Sequence, residues 1–186
     1  MRIVFIRHGK TKGNIEKRYI GSTDEELSDT GICEIEGLKY KYPYAERIIS
    51  SPMKRCIQTA GIIYGNAFEI CEDLRECDFG DFENKNYGEL KNNGDYLKWL
   101  ESGGKNGFPG GEGYYEFCGR CSECFEKIIL NNDAESLAFV VHGGTIMAIL
   151  ERFYYKKKSF FDWRIKNGEY LEFEVMRNKS GIYLKD

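Results

Sequence analysis

No stretch of this chain approaches the roughly eighteen consecutive apolar residues of a membrane-spanning helix, and the opening apolar run, residues 2–6, is too short for the core of a secretory signal. A cytoplasmic protein is therefore expected. Charge of one sign is equally missing: 27 Lys and Arg stand against 30 Asp and Glu, a net charge of −3, without any long basic run. That balance excludes a whole-surface field for gripping nucleic acid or an anionic membrane. Any anion must be met by a local cluster, and the expected partner is a small molecule. Repeats and linkers are absent too, and 41% hydrophobic with 31% charged residues is a globular balance, so one domain spanning 1–186 is expected. The seven cysteines, an odd number scattered through a chain long enough to build a core, read as reduced thiols. No signal for an oligomeric state is present.

Periodicity places a buried strand at 2–6, ending at Arg7-His8-Gly9. A helix over 27–42, with Ile32, Ile35 and Leu38 on one face, stops at Pro43, and a second strand follows at 46–50. Ser51-Pro52 is expected to open the next helix as cap and first residue, with Met53, Ile57, Ala60 and Ile63 or Tyr64 facing the core. Residues 84–113 are polar and dotted with glycine, an excursion with short helical pieces near 87–91 and 95–100. A long helix over 114–130, a buried strand over 137–141, a helix over 145–154 and a terminal hairpin, 170–176 with 182–184 around 178–181, complete the chain. Strands alternating with helices predict an α/β fold: a mostly parallel central sheet with helices on both faces.

Histidine is the scarcest informative residue. There are two, His8 and His142, and each precedes glycine at the end of an apolar strand. In an open α/β sheet ligands bind beyond the carboxyl ends of the strands, so the pair can converge on one pocket. Arg7 adjoins the first histidine and Arg55 opens a helix that follows a strand, which can set two guanidinium forks and helix N-terminal amides around one anion, naturally a phosphate.

These residues resemble the histidine phosphatase superfamily, also called phosphoglycerate-mutase-like. Arg7-His8-Gly9-Lys10-Thr11 with Asn14 is similar to its R-H-G-x-T-x-x-N signature, and the segment from Ser50 through Gln58-Thr59-Ala60 to S-S-P-x-x-R-x-x-Q-T-A. Leu74-Arg75-Glu76 with Phe79-Gly80 and Glu83 resembles L-x-E-x-x-F-G-x-W-E, Gly110-Gly111-Glu112 resembles G-G-E-S, and Val141-His142-Gly143-Gly144 resembles V-x-H-G-G. The resemblance implies a three-layer sandwich and a phosphomonoester hydrolase, with His8 as the nucleophile that becomes phosphohistidine and Glu76 as proton donor. It further implies that His142 acts with them and that Arg7, Asn14, Arg55 and Gly143 bind the phosphate. A neutral imidazole can attack phosphorus if its other nitrogen is held by a hydrogen bond, and a carboxyl of raised pKa suits both protonating the alkoxide and activating water. Two arginines and a protonated His142 would supply the charge, with no metal or other cofactor.

Departures from the family pattern are Lys10, Phe82 in place of Trp, Asn84 in place of Gly, Gly113 in place of Ser, and Met147 where arginine is common. The short chain and the run Arg18-Tyr19-Ile20-Gly21-Ser22-Thr23-Asp24 look most like the α-ribazole phosphatase group. The alternatives are a broad sugar-phosphate or phosphoglycerate phosphatase or mutase, and a phosphate-ligand sensor without turnover. The excursion at about 82–112 is expected to act as a lid whose aromatics, Phe82, Tyr87, Tyr96, Trp99 and Phe108, and absence of arginine suit an uncharged ring-bearing alcohol. Cys118, Cys121 and Cys124 have the spacing of an iron–sulfur run but lack a fourth ligand, since position 128 is Ile; core packing of a helix accounts for two of the thiols. Lys156-Lys157-Lys158 reads as a solvated loop.

Overall fold

The structure, a computed structural model, describes residues 1–179 and 181–186. In chain order its elements are β1 (Arg2–Arg7), α1 (Lys12–Ile15), α2 (Asp29–Leu38), β2 (Arg47–Ser50), α3 (Lys54–Tyr64), β3 (Glu69–Ile70), α4 (Tyr87–Leu90), α5 (Gly94–Glu101), α6 (Tyr114–Leu130), β4 (Ser136–Val141), α7 (Gly143–Phe153), β5 (Tyr170–Asn178) and β6 (Gly181–Lys185). Short 3₁₀ turns fill several joints, notably Glu72–Leu74 and Phe160–Trp163. The six strands lie in the order β3-β2-β4-β1-β5-β6; β1, β2, β3 and β4 run parallel, and β5 and β6 antiparallel.

Strand alternation divides the interior. Ile3 and Phe5 of β1 and Leu137, Phe139 and Val141 of β4 face α6 and α7, meeting Phe117, Cys121, Phe125, Ile129, Ile146 and Ile149. Val4, Ile6, Ala138 and Val140 face the other way, onto Ile35 of α2 and Cys56, Ala60 and Ile63 of α3. The sheet is thus covered on both faces, which is why its central strands read as continuous apolar runs. The predicted three-layer α/β architecture is what forms.

Local differences have local causes. The helix expected over 27–42 begins at Asp29, capped by the Ser28 side chain, which accepts from Gly31 N–H, and gives way to a 3₁₀ turn at Lys39–Lys41; Leu38 is exposed rather than buried. The helix after β2 begins at Lys54 rather than at Pro52, and Ser51 does not cap it. The Ser51 hydroxyl is drawn instead to His142, and Asp24 accepts from Lys54 N–H at the helix start at 2.8 Å. Its buried face is Cys56, Ala60 and Ile63, with Met53 and Ile57 half-exposed on the flank. The last helix starts at Gly143, two residues earlier than expected. Strand β3, only two residues and exposed, carries no periodicity from which it could be read. The terminal hairpin forms, and position 180 in its turn lies outside the described residues. Asn84, where the family pattern has glycine, sits at φ 59, a left-handed conformation that asparagine tolerates better than most side chains.

Candidate active site

Parallel pairing brings the polar residues together. Arg7 of β1 is in register with Val141 of β4, and Ser50 of β2 with Val140, so the residues that follow each strand emerge side by side. The chain continues the ladder for one step: His8 N–H donates to Val141 O at 3.0 Å and Ser51 N–H to Val140 O at 3.1 Å. The rings of His8 and His142 then stand edge to face with centroids 5.2 Å apart.

His8 Nδ1–H donates to Gly9 O at 2.7 Å, which fixes the tautomer and leaves the Nε2 lone pair free. Burial, together with the charges of Arg55 and Arg7, holds the imidazole pKa well below its usual value, so the ring is neutral. Its backbone is pinned as well, since Asn167 Nδ2 donates to His8 O at 3.1 Å and to Asn14 Oδ1 at 3.1 Å. Asn14 Oδ1 also accepts Thr11 N–H, so the oxygen end of that amide is committed to the protein while Asn14 lines the cavity.

Glu76 is buried beside the start of α7. Its Oε1 accepts Cys77 N–H at 3.0 Å and Oε2 accepts Gly144 N–H at 3.1 Å. Burial raises its pKa despite these two hydrogen bonds and the nearby Arg55 and Arg7, which pull the other way. A Cβ at Gly144 would lie 2.3 Å from Glu76 Oε1 and would push that carboxyl out of place. Gly143 admits the Arg7 guanidinium, whose Cζ and Nε would be 3.3 Å from an added Cβ. Arg7 itself donates from Nη1 to Ile165 O at 2.7 Å, while its buried Nε has no partner.

Arg55 and His142 differ from expectation. Both are wholly buried, and neither is on the cavity wall. Arg55 donates from Nη2 to Gly21 O and from Nη1 to Thr23 O, each at 2.8 Å, and from Nε to His142 Nδ1 at 3.3 Å. With Nδ1 accepting, neutral His142 carries its proton on Nε2, which lies 2.6 Å from Ser51 Oγ. Burial first, then the neighbouring Arg55, His8 and Arg7, hold this imidazole well below its ordinary pKa. The protonated His142 expected from the sequence is thus corrected: the ring is held neutral, because a third buried cation beside Arg7 and Arg55 costs too much.

Above His8 and Glu76 opens a cavity of about 320 Å³, walled by Arg7, Asn14, Gly143 and Gly144 at its floor and by aromatic rings around its sides. A scan against family models matches residues 3–184, nearly the whole chain, to the histidine phosphatase superfamily (branch 1). The chain belongs to that superfamily. It is an enzyme of the phosphatase and mutase kind.

Relatives within the superfamily carry several names. The chain is 31% identical over 160 residues to phosphoglycerate mutase-like protein 4 of Arabidopsis thaliana, covering 81% of this chain and 70% of that one. It is 25% identical over 177 residues to the adenosylcobalamin/alpha-ribazole phosphatase of Salmonella typhimurium, covering 90% and 87%. In fold it is similar to the alpha-ribazole phosphatase of Shigella flexneri, with a TM-score of 0.86 over 100% of this chain and 95% of that one at 22% identity.

For this histidine phosphatase the side walls are where sequence reading fell short. Of the five aromatics singled out in 82–112, only Trp99 and Phe108 line the cavity; Phe82 and Tyr96 are buried beneath them and Tyr87 is exposed. Tyr19, Phe79, Tyr114, Phe117, Phe160 and Phe161 supply the remaining rings. The 82–112 segment indeed has no arginine, but Arg18 and Arg164 reach the wall from outside it. Arg18 is committed to Glu16 and Glu89 and to the Asn84 carbonyl. Arg164 rests 4.5 Å above the Phe161 ring and has no hydrogen-bond or ion-pair partner among the described residues. The aromatic-rich run Phe160-Phe161-Asp162-Trp163-Arg164 was the available signal. Met147, where the family often has arginine, lines the cavity as well, and Lys10 pairs with Glu34.

Proposed function

We propose that the protein hydrolyses phosphomonoesters of ring-bearing alcohols through a phosphohistidine on His8. The observation that carries this reading is the pairing, at the floor of one cavity, of an imidazole fixed in its Nδ1–H tautomer with a buried carboxyl of raised pKa. His8 Nε2 attacks phosphorus, the bond from phosphorus to the alcohol oxygen breaks, and Glu76 as the acid passes its proton to that oxygen. Water then attacks phosphorus, the P–N bond breaks, and the Glu76 carboxylate takes the water proton. Inorganic phosphate leaves with both residues restored. Arg7 Nε, the Asn14 amide and the Gly143 N–H at the start of α7 stabilise the equatorial oxygens, with the Arg55 charge acting from behind. A bound phosphate dianion would favour the cationic form of His142, so substrate binding and proton uptake at that ring are coupled.

The aromatic walls favour a ring-bearing leaving group, and the relationship to the Salmonella enzyme makes α-ribazole 5′-phosphate the candidate substrate. Stacking is worth about 1–3 kcal/mol per ring, so kcat/KM on that ester is expected to exceed that on 3-phosphoglycerate by at least about ten-fold. A second reading, a phosphatase or mutase of small anionic esters, is favoured by Arg164, which has no ion-pair partner among the described residues. A substrate panel separates the two: equal or better turnover of 3-phosphoglycerate, lost in Arg164→Ala, selects the second. The chemistry is tested by rapid quenching without acid in the presence of chelator. Radiolabelled phosphate should be trapped on His8 and be absent from His8→Ala; turnover abolished by chelator and restored by metal would sink the mechanism.

A further inference from the structure

Cys71 follows β3 and Cys124 lies on α6, yet their sulfurs are 3.1 Å apart across a sequence separation of 53 residues. A disulfide bond is about 2.05 Å, so roughly 1 Å of approach separates this contact from a covalent link. The surroundings already draw the two segments together. Arg120, one turn before Cys124 on the same helix, donates to Asp73 O at 2.7 Å and to Arg75 O at 3.1 Å. Of the other thiols, Cys33 is exposed on the surface and Cys56 is buried against His142.

The two thiols are also unlike each other. Cys71 is half-buried, and its sulfur receives the Cys124 thiol and the backbone N–H groups of Asp73 and Leu74, which bring its pKa down to about 7. Cys124 is buried and shifted upward by the neighbouring Cys71. Such a pair has one attacking thiolate within reach of a small reagent and one shielded thiol to resolve the adduct.

We propose that Cys71 and Cys124 are a thiol–disulfide exchange site that takes low-molecular-weight disulfides and closes to a reversible cystine. Cys71 thiolate attacks one sulfur of the reagent, whose S–S bond breaks and releases one thiolate. That thiolate takes the Cys124 proton. Cys124 sulfur then attacks Cys71 sulfur and expels the second thiolate, so the reagent is reduced to two thiols as the two cysteines are oxidised. The closed loop runs from Cys71 to Cys124 and encloses the whole 82–112 segment. The cystine therefore closes a covalent loop around the excursion that contributes Trp99 and Phe108 to the cavity wall.

The test incubates the full-length protein with glutathione disulfide. Two of the seven thiols should vanish from titration in denaturant, with a 2 Da loss in intact mass and a cross-linked peptide joining Cys71 to Cys124. Tm should rise by about 5–10 °C, as expected for a loop of this length, and dithiothreitol should reverse every change. Cys71→Ser and Cys124→Ser should each remove the cross-link and the Tm shift. Seven thiols still titrating, or a glutathione adduct that never proceeds to the 2 Da loss in the wild-type protein, would overturn the proposal without bearing on hydrolysis at His8.

Discussion

The floor of the cavity and its walls are built by opposite rules. At and beneath the floor, buried polar groups are held by backbone partners: His8 by Gly9 O, Glu76 by two N–H groups, Arg55 by two carbonyls. Around the walls, aromatic rings from several separate segments meet one another, as in Phe79 with Phe108 and Trp99 with Phe108. A floor assembled from fixed hydrogen bonds should fail abruptly when one is removed. Walls assembled from ring contacts should change selectivity by degrees.

The most severe break of that comparison is His8→Ala, expected to lower kcat by about 10⁴-fold or more on every ester, measured by phosphate release. Glu76→Gln should cost about 10²- to 10⁴-fold on an alkyl ester and under about ten-fold on nitrophenyl phosphate, whose leaving group barely needs a proton. Equal losses on both would remove Glu76 as the acid. In the wild-type protein the alkaline limb of kcat/KM should report the raised Glu76 pKa, and it should disappear in Glu76→Gln. Wall substitutions are gentler: Trp99→Ala or Phe161→Ala should lower kcat/KM by about ten-fold on a ring-bearing ester and leave glycerol phosphate unchanged. A loss common to both esters would mean that the walls position the floor.

The smallest effect is on stability. His8 and His142 are buried neutral, with folded pKa values below the ordinary value of about 6.5. The unfolded chain therefore binds more protons under acid conditions, and this contribution is present above pH 6.5 and lost as pH falls towards the folded values. Tm should drop by a few degrees between about pH 6.5 and 5, and His142→Asn should flatten that slope. Glu76 acts with the opposite sign, since its raised pKa adds stability at low pH that is lost as pH rises through the folded value.

The same contrast explains what was legible in the sequence. Arg7, His8, Arg55, His142 and Gly143 lie in short motifs at or just after strand ends, and parallel pairing of β1, β2 and β4 gathers them, while Asn14 joins from α1 and Glu76 from the turn after β3. What could not be read was how a side chain would be spent. Ser51 has the signature of a helix cap, but its hydroxyl meets His142, and Arg55, expected to face an anion, clamps Gly21 and Thr23. The wall was less legible still, because Phe160, Phe161 and Arg164 come to it through tertiary packing after α7 and no local periodicity marks them. Core patterning was read well where the apolar run was continuous, in β1 and β4, and missed at the exposed two-residue β3.

That short strand has a bearing on behaviour at high concentration. A sheet offers its outermost strands as templates for the backbone of a second molecule. Here one border is only two residues long, with Glu69 bound to Arg47 across it. At the opposite border Tyr155 N–H donates to Leu184 O at 3.0 Å, and Tyr154 bridges to Leu184, so part of β6 is covered by its own chain. Both borders give little purchase for strand-on-strand aggregation.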